Sequence, residues 1–77
     1  MIFYLKEAEK AIAAYDTPAK RRIIEAINKL PYGNVKPLKG KLINFYRLRI
    51  GKYRVIFTIE ENDYTIIDVD VRGDIYK

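Results

Sequence analysis

The sequence predicts an α+β domain in which a helical hairpin packs on one face of a small antiparallel β-sheet. Two periodicities support this prediction. Apolar residues recur at three- and four-residue steps between residues 5 and 30, and at every second position between residues 44 and 72. Proline, glycine and asparagine separate the two regions. With 77 residues the chain has room for one hydrophobic core, so we expect a single domain over residues 1–77.

The first half of the chain predicts two helices after a brief first strand at residues 1–4. The apolar residues of the first helix share one side of it: Leu5, Ala8, Ile12 and Tyr15. Thr17 is the predicted N-cap of the second helix, and Pro18 suits its first position because the missing N–H would have no helical partner there. Pro31 ends this helix, whose apolar stripe consists of Ile23, Ile24, Ile27 and Leu30.

The second half of the chain predicts three strands in an antiparallel meander. They cover residues 44–50, 53–60 and 64–72, with turns at Gly51-Lys52 and at residues 61–63. In the third strand the alternation predicts Ile66 on the face opposite the core residues Ile67, Val69 and Val71. The helical hairpin can cover one face of such a sheet, so we expect the other face to remain open.

Composition excludes several kinds of chemistry. The chain has no cysteine and no histidine, which excludes a disulfide scaffold, a thiolate metal site, a cysteine nucleophile and a histidine base. Asp68 and Asp70 form a spaced acidic pair without a third ligand, so we expect no metal and no cofactor. The apolar runs are too short to cross a membrane and no signal peptide is visible, so we expect a cytoplasmic protein without a membrane partner.

Positive charge is concentrated between residues 36 and 54, which hold seven lysine and arginine side chains and no acid. The strand alternation places four arginines on the open face, flanked by Phe45 and Tyr76: Arg47, Arg49, Arg54 and Arg72. Arginine forks grip phosphate oxygens and aromatic rings stack on unpaired bases, so this face is a candidate polyanion site. Two alternatives remain, an acidic protein partner and an ordinary solvated face on which Asp68 and Asp70 pair with Arg54 and Arg72.

Three motifs follow one another in the order of a known family. They are Leu38-Lys39-Gly40, the hairpin Tyr-Arg-Leu-Arg-Ile-Gly-Lys-Tyr-Arg-Val-Ile-Phe at residues 46–57, and Val-Arg-Gly-Asp-Ile-Tyr-Lys at residues 71–77. This series resembles the RelE/ParE toxin superfamily of type II toxin–antitoxin modules. The helical hairpin that ends in Ile27-Asn28-Lys29-Leu30-Pro31 also fits, so the resemblance covers nearly the whole chain and implies a RelE-like fold.

The resemblance implies one of two activities. RelE-like members are ribosome-dependent endoribonucleases, in which a 2′-hydroxyl of the mRNA attacks the adjacent phosphate without a metal, whereas ParE-like members poison DNA gyrase. The implied partners are a cognate antitoxin protein and mRNA on the ribosome. By their position in the motifs, the implied catalytic residues are Arg47, Arg49, Arg54, Arg72 and Tyr76. The expected RNA-binding residues are Lys39, Lys41, Phe45 and Lys52.

The chain differs from the family pattern at two places. Arg47 and Arg49 stand where well-studied relatives have lysine, and arginine does not lose its proton, which leaves Lys52 or Tyr76 as the candidate base. Asp70-Val71 stands where many relatives have a glycine-histidine pair. Three alternatives therefore remain: a RelE-like interferase, a ParE-like gyrase inhibitor, and a catalytically weak relative that binds nucleic acid.

Overall fold

The computed structural model describes residues 1–38 and 44–71, and within them it contains two helices and five strands. In chain order these are β1 (Ile2–Tyr4), α1 (Lys6–Ala13), α2 (Thr17–Asn28), β2 (Asn34–Pro37), β3 (Phe45–Ile50), β4 (Tyr53–Glu60) and β5 (Asp63–Val71). The strands form one sheet in the order β1-β5-β4-β3-β2. Both helices pack against the same face of this sheet, which confirms the predicted α+β fold.

The sheet is mixed rather than purely antiparallel. The predicted meander is present, because β3 pairs antiparallel with β4 and β4 pairs antiparallel with β5. Two edge strands complete it. β1 lies parallel to β5, and β2, which the sequence did not predict, lies antiparallel to β3. The turn between β3 and β4 is formed by Gly51 and Lys52 as predicted, and Gly51 adopts a φ of 58° that favours glycine.

The start of α2 differs by one residue from the prediction. Asp16 is the N-cap, and its Oδ1 accepts a hydrogen bond from the backbone N–H of Ala19 at 3.1 Å. Thr17 is already helical, so its predicted role as N-cap was wrong, and Pro18 occupies the second helical position. Both Asp and Thr are good caps, and a proline in the first turn fits either choice.

Within the described residues, no helix has the length and apolar character needed to cross a membrane.

The core lies between the helices and the covered face of the sheet. Phe57 is at its centre, fully buried, with the Tyr46 ring stacked at 5.7 Å and the Tyr64 ring edge-on at 6.1 Å between centroids. Ile24 is 40% exposed, so the apolar stripe of α2 is narrower than predicted. Among the described residues, the buried apolar residues of the core are Ala8, Ile12, Ala19, Ile23, Ile27, Leu48, Tyr53, Val55, Phe57, Ile66 and Val69.

A β-bulge in β5 changes which of its residues face the core. Ile56 pairs with Asp68 whereas its neighbour Phe57 pairs with Ile66, so Ile67 is an extra residue without an opposite partner. Because one extra residue inverts the alternation, Ile66 is fully buried, and its prediction on the open face was wrong. Asp68 and its neighbours on the other side of the bulge keep the predicted orientation.

Candidate functional site

Two rows of charged and polar side chains cross the open face of the sheet. Residues directly opposite each other on neighbouring strands share a face, and the register therefore defines each row from β2 to β5. The first row consists of Asn34, Arg49, Arg54 and Asp70, and the second of Lys36, Arg47, Ile56 and Asp68. The three arginines of β3 and β4 thus share one face, as the alternation predicted. The cations lie on β2, β3 and β4, and the acids lie on β5.

Arg54 and Asp70 form an ion pair within the first row. Arg54 Nη2 donates to Asp70 Oδ2 at 3.0 Å, and the two side chains are 11% and 25% exposed. Among the described residues, Arg54 is the one charged residue that is buried. Removing a charge from water is costly unless a partner compensates, so the Asp70 carboxylate allows Arg54 to occupy this position. This pair was part of the alternative in which acids and arginines of an ordinary sheet face bind each other, and the structure contains it for Arg54 and Asp70.

Arg49 and Arg47 are more exposed to solvent than Arg54. Arg49 is exposed and lies directly opposite Arg54, an arrangement of like charges that is unfavourable without an anion. Arg47 is half-buried, and its Nε is buried without a hydrogen-bond partner in the described part of the chain. Lys36 lies opposite Arg47 on β2. These three cations form a basic surface, which we call the β3 cation surface, whose chemistry suits phosphate groups.

Two aromatic rings, those of Phe45 and Phe3, lie on the same face of the sheet as the β3 cation surface. Phe45 is half-buried and lies two residues before Arg47 on β3, so it points to the same side of the sheet. Its row continues through Thr58 and Thr65 to Phe3, which is 48% exposed. A base placed beside a phosphate on Arg47 therefore meets an aromatic ring on which it can stack.

Of the five remaining predicted site residues, the structure describes one, Lys52. Lys52 lies in the β3–β4 turn, with Nζ 5.5 Å from the centroid of the Tyr53 ring, and that ring belongs to the helix-covered core. Lys52 is therefore not brought together with the arginines. Four predicted residues lie outside the described residues: Lys39, Lys41, Arg72 and Tyr76.

Sequence reasoning missed the contribution of β2. No strand was predicted between Pro31 and residue 44, whereas the structure places Lys36 and Asn34 on the open face, opposite Arg47 and Arg49 respectively. The sequence contained a weak signal for this strand, because Asn34, Val35 and Lys36 alternate polar, apolar and polar. In the structure Val35 packs against the core. A cavity of about 320 Å³ lies beside Asn34, between α2 and the β2–β3 edge. Its charged lining residues are three cations and one acid: Arg22, Lys29, Arg49 and Glu25.

Two tyrosines that lie near the sheet have altered acidity. Burial raises the pKa of the Tyr4 hydroxyl above its ordinary value of 10. Burial and, secondarily, the negative charges of Asp70 and Asp68 raise the pKa of Tyr15, whose ring packs edge-on against Tyr53 at 5.0 Å. Both phenols therefore hold their protons more firmly than a free tyrosine does, which makes them poor general bases at neutral pH.

Comparison with known proteins identifies similar sequences and folds. Residues 3–76 match the model of the family described as the ParE toxin of type II toxin–antitoxin system, parDE. None of the curated proteins matches the chain. A chain of the archaeal RelE–RelB complex from Pyrococcus horikoshii OT3 is 26% identical, with a TM-score of 0.78, and the match covers 95% of this chain and 94% of that one.

Two further solved structures share the fold at lower identity. A chain of the RelB–RelE antitoxin–toxin complex from Methanococcus jannaschii is 22% identical, with a TM-score of 0.79, over 96% of this chain and 94% of that one. A chain of the toxin–antitoxin complex RelBE2 from Mycobacterium tuberculosis is 21% identical, with a TM-score of 0.81, over 96% and 92%. The similarity therefore extends over almost the whole length of each chain.

Proposed function

Because the chain belongs to the ParE toxin family of type II toxin–antitoxin systems, we propose that it acts as a RelE-like endoribonuclease that cuts mRNA on the ribosome. The observation that carries this proposal is the β3 cation surface, where Arg49, Arg47 and Lys36 lie on one open face next to Phe45. Single-stranded RNA presents phosphates next to unstacked bases. The guanidinium groups of this surface can bind the phosphates, and the neighbouring Phe45 ring can stack on a base.

The proposed reaction is a transfer within the RNA backbone. The 2′-hydroxyl loses its proton and attacks the adjacent phosphorus, the bond from phosphorus to the 5′-oxygen breaks, and that oxygen takes up a proton. The products are a cyclic 2′,3′-phosphate and a 5′-hydroxyl. Arg47 and Arg49 are about 7 Å apart along β3, and their fixed positive charges stabilise the negative charge that develops on the phosphate. In a chain without histidine, we infer that this electrostatic stabilisation and in-line positioning provide most of the rate.

The motif resemblance adds further residues to the proposed site. Arg54, Arg72 and Tyr76 stand at the positions of the family's later arginines and its C-terminal tyrosine. We propose that Arg54 and Arg72 act on the phosphate and that Tyr76 stacks on a base. The proposed RNA contacts outside the β3 cation surface come from Lys39, Lys41 and Lys52.

We further propose that a cognate antitoxin binds this toxin. The similar structures from Pyrococcus horikoshii OT3 and Methanococcus jannaschii are complexes of RelE with RelB. The open face carries the cations of β2, β3 and β4, and an acidic antitoxin segment laid across it would neutralise them and exclude RNA. Binding to the folded toxin would also stabilise this small domain by mass action.

The direct test incubates the purified protein with translating ribosomes and maps mRNA ends by primer extension. Wild type is expected to produce cuts at defined codon positions, and Arg49→Gln is expected to cut about 10²–10³-fold more slowly because a transition-state donor is lost. Arg21→Gln, on the exposed side of α2, removes the same charge away from the site and should cut like wild type. Intact mRNA with wild type, or equal losses in both variants, would contradict the proposal.

Inhibition of DNA gyrase is the second candidate function, and the description of the matching family as ParE toxins favours it. A gyrase inhibitor would reduce supercoiling of a relaxed plasmid by purified gyrase and leave mRNA intact in the ribosome assay. A protein that only binds nucleic acid would show salt-dependent binding and neither effect. The two assays on one preparation therefore separate all three alternatives.

A further inference from the structure

We propose that Asp70 is an internal counter-anion that competes with RNA phosphate for Arg54, so that it sets the anion affinity of the open face. This inference rests on the proposed function, because it concerns how tightly the same site holds a phosphate. It goes beyond it by assigning a role to an acidic residue of β5 that belongs to neither the catalytic nor the RNA-binding set.

The geometry of the ion pair is that of an anion bound to an arginine. Arg54 Nη2 lies 3.0 Å from Asp70 Oδ2, and the two residues are directly opposite each other on β4 and β5. A carboxylate oxygen and a phosphate oxygen accept from a guanidinium in the same way. A phosphate can therefore reach this nitrogen of Arg54 only by displacing or sharing the Asp70 carboxylate.

The surrounding charges favour an external anion as a competitor. Arg49 lies on the other side of Arg54 in the same row, and Arg47 lies in the next row. A phosphate placed between Arg49 and Arg54 has oxygens for both guanidinium groups, whereas Asp70 contacts Arg54 through one oxygen. The other oxygen, Asp70 Oδ1, is buried without a hydrogen-bond partner among the described residues. The internal pair thus gives Arg54 Nη2 an acceptor, whereas the like-charged Arg49 opposite it forms no ion pair with an acid of the described residues.

Asp68 provides a matched control for Asp70. It lies two residues earlier on the same strand and the same face, but its opposite residue is Ile56 and its Oδ1 accepts the backbone N–H of Val69 at 2.9 Å. Asp68→Asn and Asp70→Asn therefore remove one negative charge each from β5. Only the second removes the carboxylate that is bound to Arg54.

The experiment compares wild type with these two variants in two measurements at one fixed ionic strength. The first is the dissociation constant for a fluorescently labelled single-stranded RNA oligonucleotide. Asp70→Asn is expected to bind about tenfold more tightly than wild type, because Arg54 gains a charge-assisted bond to phosphate. Asp68→Asn is expected to change affinity by less than about threefold, the size expected for one exposed charge.

The second measurement is the rise in melting temperature as sodium sulfate replaces sodium chloride. Sulfate should stabilise Asp70→Asn more than wild type or Asp68→Asn, because an external anion takes the place of the missing carboxylate beside Arg54. This measurement needs no ribosome and no RNA. If wild type does not cut mRNA, the proposed function fails, and the sulfate result still decides the role of Asp70.

Three results would overturn the inference. Equal gains in RNA affinity for both variants would show that net charge alone sets the affinity. Equal sulfate stabilisation of all three proteins would show that no anion site is uncovered by removing the carboxylate. An Asp70→Asn protein that does not fold at any sulfate concentration would show that Asp70 is a structural partner which an external anion does not replace.

Discussion

Replacing Arg54 by alanine is expected to destabilise the domain more than the removal of any exposed arginine. The change leaves the Asp70 carboxylate without the guanidinium 3.0 Å away. Breaking a buried ion pair by removing one partner costs about 3–5 kcal/mol. Because the Asp70 side chain is 25% exposed, water can solvate the unpaired carboxylate and reduce this cost. We therefore expect the free energy of unfolding to fall by about 2–3 kcal/mol. Domains of this size have a free energy of unfolding of about 4–12 kcal/mol, so the loss is a substantial fraction of the total.

Urea unfolding followed by circular dichroism measures this loss directly. The matched control is Arg49→Ala, because Arg49 lies opposite Arg54 but is exposed, and its removal should change the free energy of unfolding by less than about 0.5 kcal/mol. In thermal melts, Arg54→Ala should lower the transition by about 10–20 °C. The double variant Arg54→Ala/Asp70→Ala should be more stable than the sum of the two single losses predicts, because it leaves no unpaired charge. Equal urea midpoints for Arg54→Ala and Arg49→Ala would show that the buried ion pair of Arg54 does not stabilise the fold.

Three further predictions concern stability. Asp16→Ala should lower the free energy of unfolding by about 1 kcal/mol through loss of the helix cap, whereas Thr17→Ala should lower it by about a few tenths of a kcal/mol. A larger loss for Thr17→Ala than for Asp16→Ala in urea unfolding would contradict the observed cap. Phe57→Ala should cost about 3–5 kcal/mol in urea unfolding because the ring is fully buried, and a loss below about 1 kcal/mol would contradict its central place. Burial raises the pKa of Tyr15 in the folded state, so the unfolded chain releases this proton first and stability should fall as the pH rises above about 10. Tyr15→Phe should reduce that fall in urea midpoints measured against pH, and an unchanged fall would assign it to other groups.

The sequence predicted the faces of β3 and β4 correctly because their alternation is uninterrupted. Within β3 and again within β4, the core-facing apolar residues recur at every second position, first from Tyr46 to Ile50 and then from Tyr53 to Phe57. This period determines which side chains of each strand share a face, and the two-residue turn brings Ile50 opposite Tyr53. The common face of Arg47, Arg49 and Arg54 followed from it. Long uninterrupted patterns of this kind can be interpreted without knowledge of the tertiary structure.

The errors arose where tertiary contacts decide between local alternatives. Ile66 was assigned to the wrong face because the extra residue Ile67 inverts the alternation, and an apolar pair in a strand does not reveal which of its members is extra. The strand β2 was missed because its four residues include asparagine and proline, which are more typical of turns. The parallel pairing of β1 with β5 joins opposite ends of the chain, and no local pattern specifies it.

The burial of Arg54 could be inferred from the sequence only in part. The pairing with Asp70 was among the alternatives, since both residues were assigned to the same face. How far the pair is removed from water depends on the packing around β4 and β5, which the alternation does not describe. Arg54 therefore looked equivalent to Arg49, although the structure shows one of them buried and the other exposed.

Primer extension on two reporter transcripts after induced expression in cells determines whether the protein cuts mRNA that is being translated. One transcript is translated, and the other is identical except that it lacks a start codon. We expect new 5′ ends inside the coding region of the translated transcript and none in the other. We also expect Arg47→Gln/Arg49→Gln to remove these cuts at equal protein level. Growth arrest with both transcripts intact, or equal cutting of both transcripts, would contradict the claim that the open face acts on mRNA in the ribosome.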